Sequence, residues 1–332
     1  MRTPVTIITG FLGAGKTSLL NHLIGQHPDT RFAIIENEFG DIGIDNDLVI
    51  QDSSGDGIFE LSNGCICCEL NDELLKTLGR LVRSGKTFDH LLIETTGMAE
   101  PDGVAATFMA DVAVQEYFRL DAVVCVVDAG QIEDMLEERE EARRQLAFAD
   151  VVVLNKQGSV SPAYLEKVQS FLAQSNPFAE IYRADYGKVS STIMQQGAYE
   201  SEAARQKLIR AVQEAATHGH HHHDGHHHHH EGVEAHSFTL TKPLDMLKFV
   251  HWSKFLLLMY GKNIYRIKGI LHFQAEPQPV IFQSVRTQFA FDRLEAWPDG
   301  AAPNSRIVFI ANNVKRQVLE KGLNSLGASE KN

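Results

Sequence analysis

Residues 5–17 read VTIITGFLGAGKT, an apolar β-branched run, then glycines at 10, 13 and 15, then a lysine and a threonine opening a helix-forming stretch. A buried strand that breaks into glycines and passes at once into a helix is a βα unit. Its strand must find parallel neighbours, and helices must cover the sheet on both sides. The stretch matches G-x-x-x-x-G-K-[ST] in the strand–loop–helix context that the pattern requires. Gly10, Gly13, Ala14 and Gly15 form a backbone curl whose N–H groups can point at phosphate oxygens, and the helix start adds its positive dipole end. Lys16 supplies a mobile charge for β- and γ-phosphates, Thr17 a hydroxyl ligand for Mg²⁺, and Ser18 a donor for the α-phosphate.

The rest of the chain agrees with this architecture. Apolar runs at 5–9, 32–36, 91–94, 122–127 and 151–154 predict strands buried on both faces, and 16–25, 72–83, 131–147 and 162–173 predict the helices between them. The expected fold is a doubly wound, mostly parallel α/β sheet over residues 1–200. Residues 201–235 read as a solvated, histidine-rich linker, and 236–332 as a smaller α+β unit with an antiparallel sheet.

Two further segments fit a nucleotide switch. LLIETTG ends a strand in Glu94, which can act on a Mg²⁺ shell through water, and reaches Gly97, whose N–H can sense a γ-phosphate; a strand end with a capping acid is the plainer alternative. NKQG places Asn155 to hydrogen-bond a base and the Lys156 stem to pack over it. A guanine reader carries an acid two residues after the lysine, and here that residue is Gly158. Without a carboxylate, the guanine N1–H and N2–H₂ lose a partner for charge-assisted bonds of about 1.5–3 kcal/mol each, unless another group or a water stands in. An ordinary strand-to-loop turn is the alternative reading of NKQG.

Three of the four cysteines fall in NGCICCEL, at Cys65, Cys67 and Cys68. Converging on one cation they leave a fourth position open, which suits a carrier of exchangeable metal better than a structural zinc site; a structural turn or a redox cluster are the alternatives. Cys125, mid-strand, reads as core. In IENEFGDIGID, Glu36, Glu38 and Asp41 are candidate ligands for Mg²⁺ or the second metal, and a solvated acidic loop explains them nearly as well. Residues 217–232 read THGHHHHDGHHHHHEG. The imidazoles of His220, His221, His222, His223, His226, His227, His228, His229 and His230 are largely neutral near pH 7 and bind Zn²⁺, Co²⁺ or Ni²⁺ in shifting, moderate-affinity sets, which suits capture and buffering.

With GFLGAGKT, ENEFG, GCICC, ETTG and NK in this order, followed by a smaller unit, the chain resembles the CobW-like GTPase family, which includes zinc-responsive metalloprotein activators. The resemblance covers nearly the whole chain. It implies Mg²⁺-dependent hydrolysis of GTP coupled to delivery of a transition metal, zinc first, to client metalloproteins, with the metal held by Cys65, Cys67 and Cys68. It also implies a C-terminal domain used for clients or for homo-oligomer assembly. Gly158 departs from the family's usual acid. A formal charge of −12 argues against binding nucleic acid, and the absence of an apolar run of about 20 residues argues against a membrane span, so the expected compartment is the cytoplasm. Rival readings are a metal-storage protein with a weakly active P-loop scaffold, a P-loop kinase, and a thiol-redox protein.

Overall fold

The computed structural model describes residues 2–38, 58–64, 70–97, 100–194, 197, 199, 202–218, 233–285, 288–297 and 302–327. The chain divides into two compact units, Met1–Ala173 with Ala179–Ala204, and Gln174–Phe178 with Arg205–Asn332.

In the first, the chain runs β1 (Thr3–Thr9), α1 (Lys16–Gln26), β2 (Phe32–Glu38), β3 (Ile58–Gly64), α2 (Leu70–Arg83), β4 (His90–Glu94), α3 (Pro101–Ala110) and α4 (Val112–Tyr117). It continues through β5 (Phe118–Asp128), α5 (Ile132–Glu138), α6 (Glu140–Phe148), β6 (Val151–Asn155), α7 (Pro162–Ser175) and β7 (Glu180–Arg183). Among the described residues the sheet has seven strands in the order β3-β2-β4-β1-β5-β6-β7, every pairing parallel. The central strands carry unbroken apolar runs, 122–127 in β5 and 151–154 in β6, because both faces are covered. Val124 and Val126 pack with Leu19, Leu20 and Leu23 of α1, whereas Cys125 and Val127 join Leu136, Leu146 and Leu172 from α5, α6 and α7. Side chains alternate across a strand, so one continuous run serves two cores. This is the doubly wound fold.

The five strands and the helix positions expected from the pattern are present, with two amendments. The stretch 131–147 forms two helices, because Arg139 takes an extended conformation (φ −121°, ψ 119°) between α5 and α6. The sheet also gains β3 and β7 at its two edges.

The second unit contains α8 (Glu202–His218) from Arg205 onward, β8 (Val233–Leu240), α9 (Met246–Tyr260), β9 (Ile264–Leu271), β10 (Val280–Val285), β11 (Gln288–Arg293), β12 (Ser305–Asn312) and α10 (Arg316–Asn324). Its five strands, among the described residues, form an antiparallel sheet ordered β11-β10-β9-β12-β8. Phe249, Leu256 and Leu257 of α9 and Leu319 and Leu323 of α10 share a core with Ile267, Phe282 and Phe309 from the sheet. Asp245 caps α9 by accepting the Lys248 amide at 3.0 Å. The span expected as a linker, 201–235, begins with α8 and ends in β8. Leu208, Ile209 and Val212 are buried, so α8 carries an apolar face of its own. Of the histidine-rich segment, 219–232 lies outside the described residues.

Candidate functional site

Parallel strands all end on one edge of their sheet, and ligands gather there. β1 lies between β4 and β5, and its carboxyl end delivers the glycine loop to that edge. Gly10, Gly13 and Gly15 all have positive φ (139°, 77° and 104°), which curls the loop as expected. Gly15 carries a second constraint: a β-carbon there would stand 2.4 Å from Asn155 Nδ2. The loop is therefore pinned from behind. Asn155, 1% exposed at the end of β6, donates from Nδ2 to the Ala14 carbonyl at 2.8 Å and accepts at Oδ1 from the Gly187 amide at 3.1 Å.

Among the described residues no side chain caps α1, whose N-cap is Gly15, and its first amides face the site where an anion would bind. Lys16 is 8% exposed, with Nζ donating to the Phe11 carbonyl at a long 3.4 Å. Burial lowers its pKa, and Glu94 acts in the opposite sense. A buried ammonium with so weak a bond is poised to turn to a stronger acceptor. Thr17 donates its hydroxyl to Glu94 Oε1 at 3.0 Å, which joins two hard oxygens of the type Mg²⁺ selects.

Beyond Glu94 the chain is fastened to β1. The Thr95 amide donates to the Ile8 carbonyl at 2.9 Å and its hydroxyl to Thr9 Oγ1 at 3.0 Å. Gly97 then lies against the glycine loop, where a β-carbon would stand 2.6 Å from the Leu12 amide nitrogen. Gln145 of α6, 1% exposed, donates to the Gly97 carbonyl at 3.0 Å. Sequence reasoning missed Gln145; an isolated amide in the charged run EEREEARRQ gives no hint that it faces inward.

Backbone register places the remaining acids. Ile8 pairs with Glu94, Glu94 with Glu36, and Glu36 with Ser62, a single row across β1, β4, β2 and β3. Two strand spacings separate Glu94 from Ser62, about 10 Å. Asp41, Cys65, Cys67, Cys68 and His220–His230 lie outside the described residues, and no group of metal-binding side chains is present among the described ones. Cys125 is core, as read: it is 1% exposed, and burial pushes its thiol up to about 12.

Lys156 turns the chain in a left-handed conformation (φ 58°) and donates from Nζ to Asp128 Oδ2 at 2.8 Å. Its stem is thereby tethered at the mouth of β5 and β6.

Residues 4–183 match the CobW/HypB/UreG nucleotide-binding domain, and 233–326 match the cobalamin synthesis protein cobW C-terminal domain. The chain belongs to the CobW family. It is 31% identical to the zinc chaperone YjiA of Escherichia coli over 310 residues, covering 92% of this chain and 93% of that protein. It is also 31% identical to zinc-regulated GTPase metalloprotein activator 1 of Schizosaccharomyces pombe, covering 94% of this chain and 83% of that protein. Among solved structures, Zn(II)-bound YjiA GTPase from Escherichia coli aligns with a TM-score of 0.74 at 28% identity, covering 99% of this chain and 100% of that one. The P-loop GTPase fold of the CobW family accounts for the glycine curl, the buried lysine and the threonine–glutamate pair. No helix among the described residues is long and apolar enough to cross a membrane.

Proposed function

We propose that this CobW-family protein is a GTPase metallochaperone. It binds a transition metal, zinc first, at Cys65, Cys67 and Cys68, and releases it to client metalloproteins according to the nucleotide it holds. The observation that carries the reading is the hydrogen bond from Thr17 to Glu94 beside a buried Lys16. The names of its relatives, zinc chaperone and zinc-regulated GTPase metalloprotein activator, support the metal half.

In this reading the loop amides of Gly13–Lys16 and the α1 terminus bind the phosphates, and Lys16 leaves the Phe11 carbonyl for the β- and γ-oxygens. Thr17 and, through water, Glu94 would hold Mg²⁺, which would supply charge neutralisation at the phosphates. The Gly97 amide responds to the γ-phosphate, and Gln145 holds the Gly97 carbonyl so that the amide faces one way. Glu36 stands one strand from Glu94, and the cysteines follow Gly64, the last residue of β3, by one to four positions. A change at the γ-phosphate thus reaches the thiols through neighbouring strand ends. The histidine-rich residues 217–232 capture and buffer metal for that site.

The test is hydrolysis of GTP and ATP by the full chain with Zn²⁺, Co²⁺ or Ni²⁺ added, with Cys67→Ser as control. GTP turnover that responds to metal in the parent and not in Cys67→Ser supports the reading. High metal capacity with no turnover under any load favours storage, and phosphate appearing on an acceptor other than water favours a kinase.

A further inference from the structure

Gly158 stands where a guanine reader carries its acid, yet its surroundings are not without a carboxylate. β6 and β7 run parallel, with Leu154 beside Arg183, so the residues after each strand emerge together. The Gln157 amide donates to the Ala184 carbonyl at 3.2 Å, and the Gly158 amide to Asp185 Oδ1 at 3.1 Å. A β-carbon built on Gly158 would find Asp185 Oδ2 at 3.4 Å and Oδ1 at 3.5 Å. The space that a side chain at 158 would enter already holds the carboxylate of Asp185.

That carboxylate is held in place relative to the phosphate cradle. Asn155 joins the Gly187 amide to the Ala14 carbonyl. Gly187 itself sits against α1, where a β-carbon would lie 2.6 Å from the Leu19 amide nitrogen. The turn bearing Asp185 is therefore packed onto the helix that follows the glycine loop. Beside it, Tyr186 is 81% exposed and offers a flat aromatic surface.

We propose that Asp185 is the guanine-selecting residue of this protein, supplied from the turn after β7 in place of an acid at 158. The proposal rests on the GTP reading above. One oxygen takes the Gly158 amide, and a carboxylate keeps enough lone pairs to accept guanine N1–H and N2–H₂ as well. Adenine offers no donor at those two positions, and a carboxylate facing its N1 lone pair is repelled. Gly158 is then required: an aspartate at 158 would set a second carboxylate against the first.

The experiment is a binding titration of GTP, ITP, XTP and ATP with the full chain, Asp185→Asn, and the double variant Gly158→Asp/Asp185→Ala. In the parent, ITP, which lacks the 2-amino group, should bind about tenfold more weakly than GTP, one charge-assisted hydrogen bond's worth. In Asp185→Asn the amide can donate to the C2 carbonyl of xanthine. GTP should weaken by about tenfold and XTP should gain by a similar factor, while ATP, no longer facing a carboxylate at its N1, should bind at least as well as to the parent. The double variant should regain the preference for GTP. A parent that binds GTP over ATP but treats GTP and ITP alike, or an Asp185→Asn variant with the parent's GTP-to-XTP ratio, overturns the proposal and leaves the GTPase reading intact. A parent that binds no nucleoside triphosphate overturns both. The GTP-to-ITP comparison needs no mutation, so a variant that fails to fold does not shelter the idea.

Discussion

At the scale of single residues, Gly97 connects the glycine loop to the turn after β4 most directly. A β-carbon there meets Leu12 backbone at 2.6 Å, and backbone moves less readily than the end of a side chain. Gly97→Ala must displace either the glycine loop or the turn that Gln145 holds. GTP affinity should fall by about tenfold or more, since small misplacements at a phosphate site are costly. Thermal melting should change far less, and a titration alongside a melt separates the two. His90 makes a different prediction. It is 2% exposed, shares a 2.8 Å hydrogen bond with Thr6 Oγ1, and burial, aided by Arg119 and His27, lowers its pKa to about 4 from 6.5. The folded protein refuses a proton that the unfolded chain takes up near 6.5. This contribution is full above that value and is lost progressively as the pH falls from 6.5 towards 4. Between pH 7.5 and 5 the folded state should lose about 2 kcal/mol on this account. Urea unfolding at the two values checks it, and His90→Asn should remove that part of the pH dependence.

The elements show why some of the fold was legible and some was not. β5 and β6 declare themselves because both faces are buried and the run is apolar without a break. β7, EIYR, is a four-residue edge strand with no fully buried residue, and β11, QFAFDR, has none either, so neither alternates clearly enough to stand out. β3 escaped for a related reason: its Asn63-Gly64 reads as a turn, although both residues pair with β2. α3 was missed for the opposite cause. Nearly every residue from Pro101 to Phe108 is buried, so no polar face is left to reveal a helical period. The packing of α10 on α9 yields a test at this scale. A β-carbon on Gly322 would lie 2.5 Å from Trp252 Nε1 and 2.8 Å from two ring carbons. Gly322→Ala should cost about 1–3 kcal/mol by overpacking. The chain's two tryptophans, Trp252 and Trp297, both belong to the second unit, so tryptophan-detected unfolding reports on that unit directly.

For the whole molecule the decisive quantity is a coupling free energy. The phosphate half of the candidate site was legible because a glycine curl must have glycines at fixed offsets. Asp185 and Gln145 were not, because they reach the site by folding and carry no local signature. The thiol half was read from the spacing of the cysteines and from the family resemblance. If both halves are one device, GTP and zinc must each tighten the other by the same factor, since binding free energies around a closed cycle sum to zero. A hundredfold effect corresponds to about 2.7 kcal/mol. GTP titrations with and without Zn²⁺, and Zn²⁺ titrations against a competing chelator with and without GTP, should give one factor. Replacing Cys65, Cys67 and Cys68 by serine should bring that factor to one while leaving GTP affinity without metal unchanged. Deleting residues 219–232 should act otherwise: fewer zinc ions bound per chain, with the coupling factor preserved, because a set of interchangeable imidazoles adds capacity without favouring either nucleotide state. A deletion that instead abolishes the coupling would move the switching metal from the thiols to the histidines, and the cysteine variant would then show which of the two segments the nucleotide addresses.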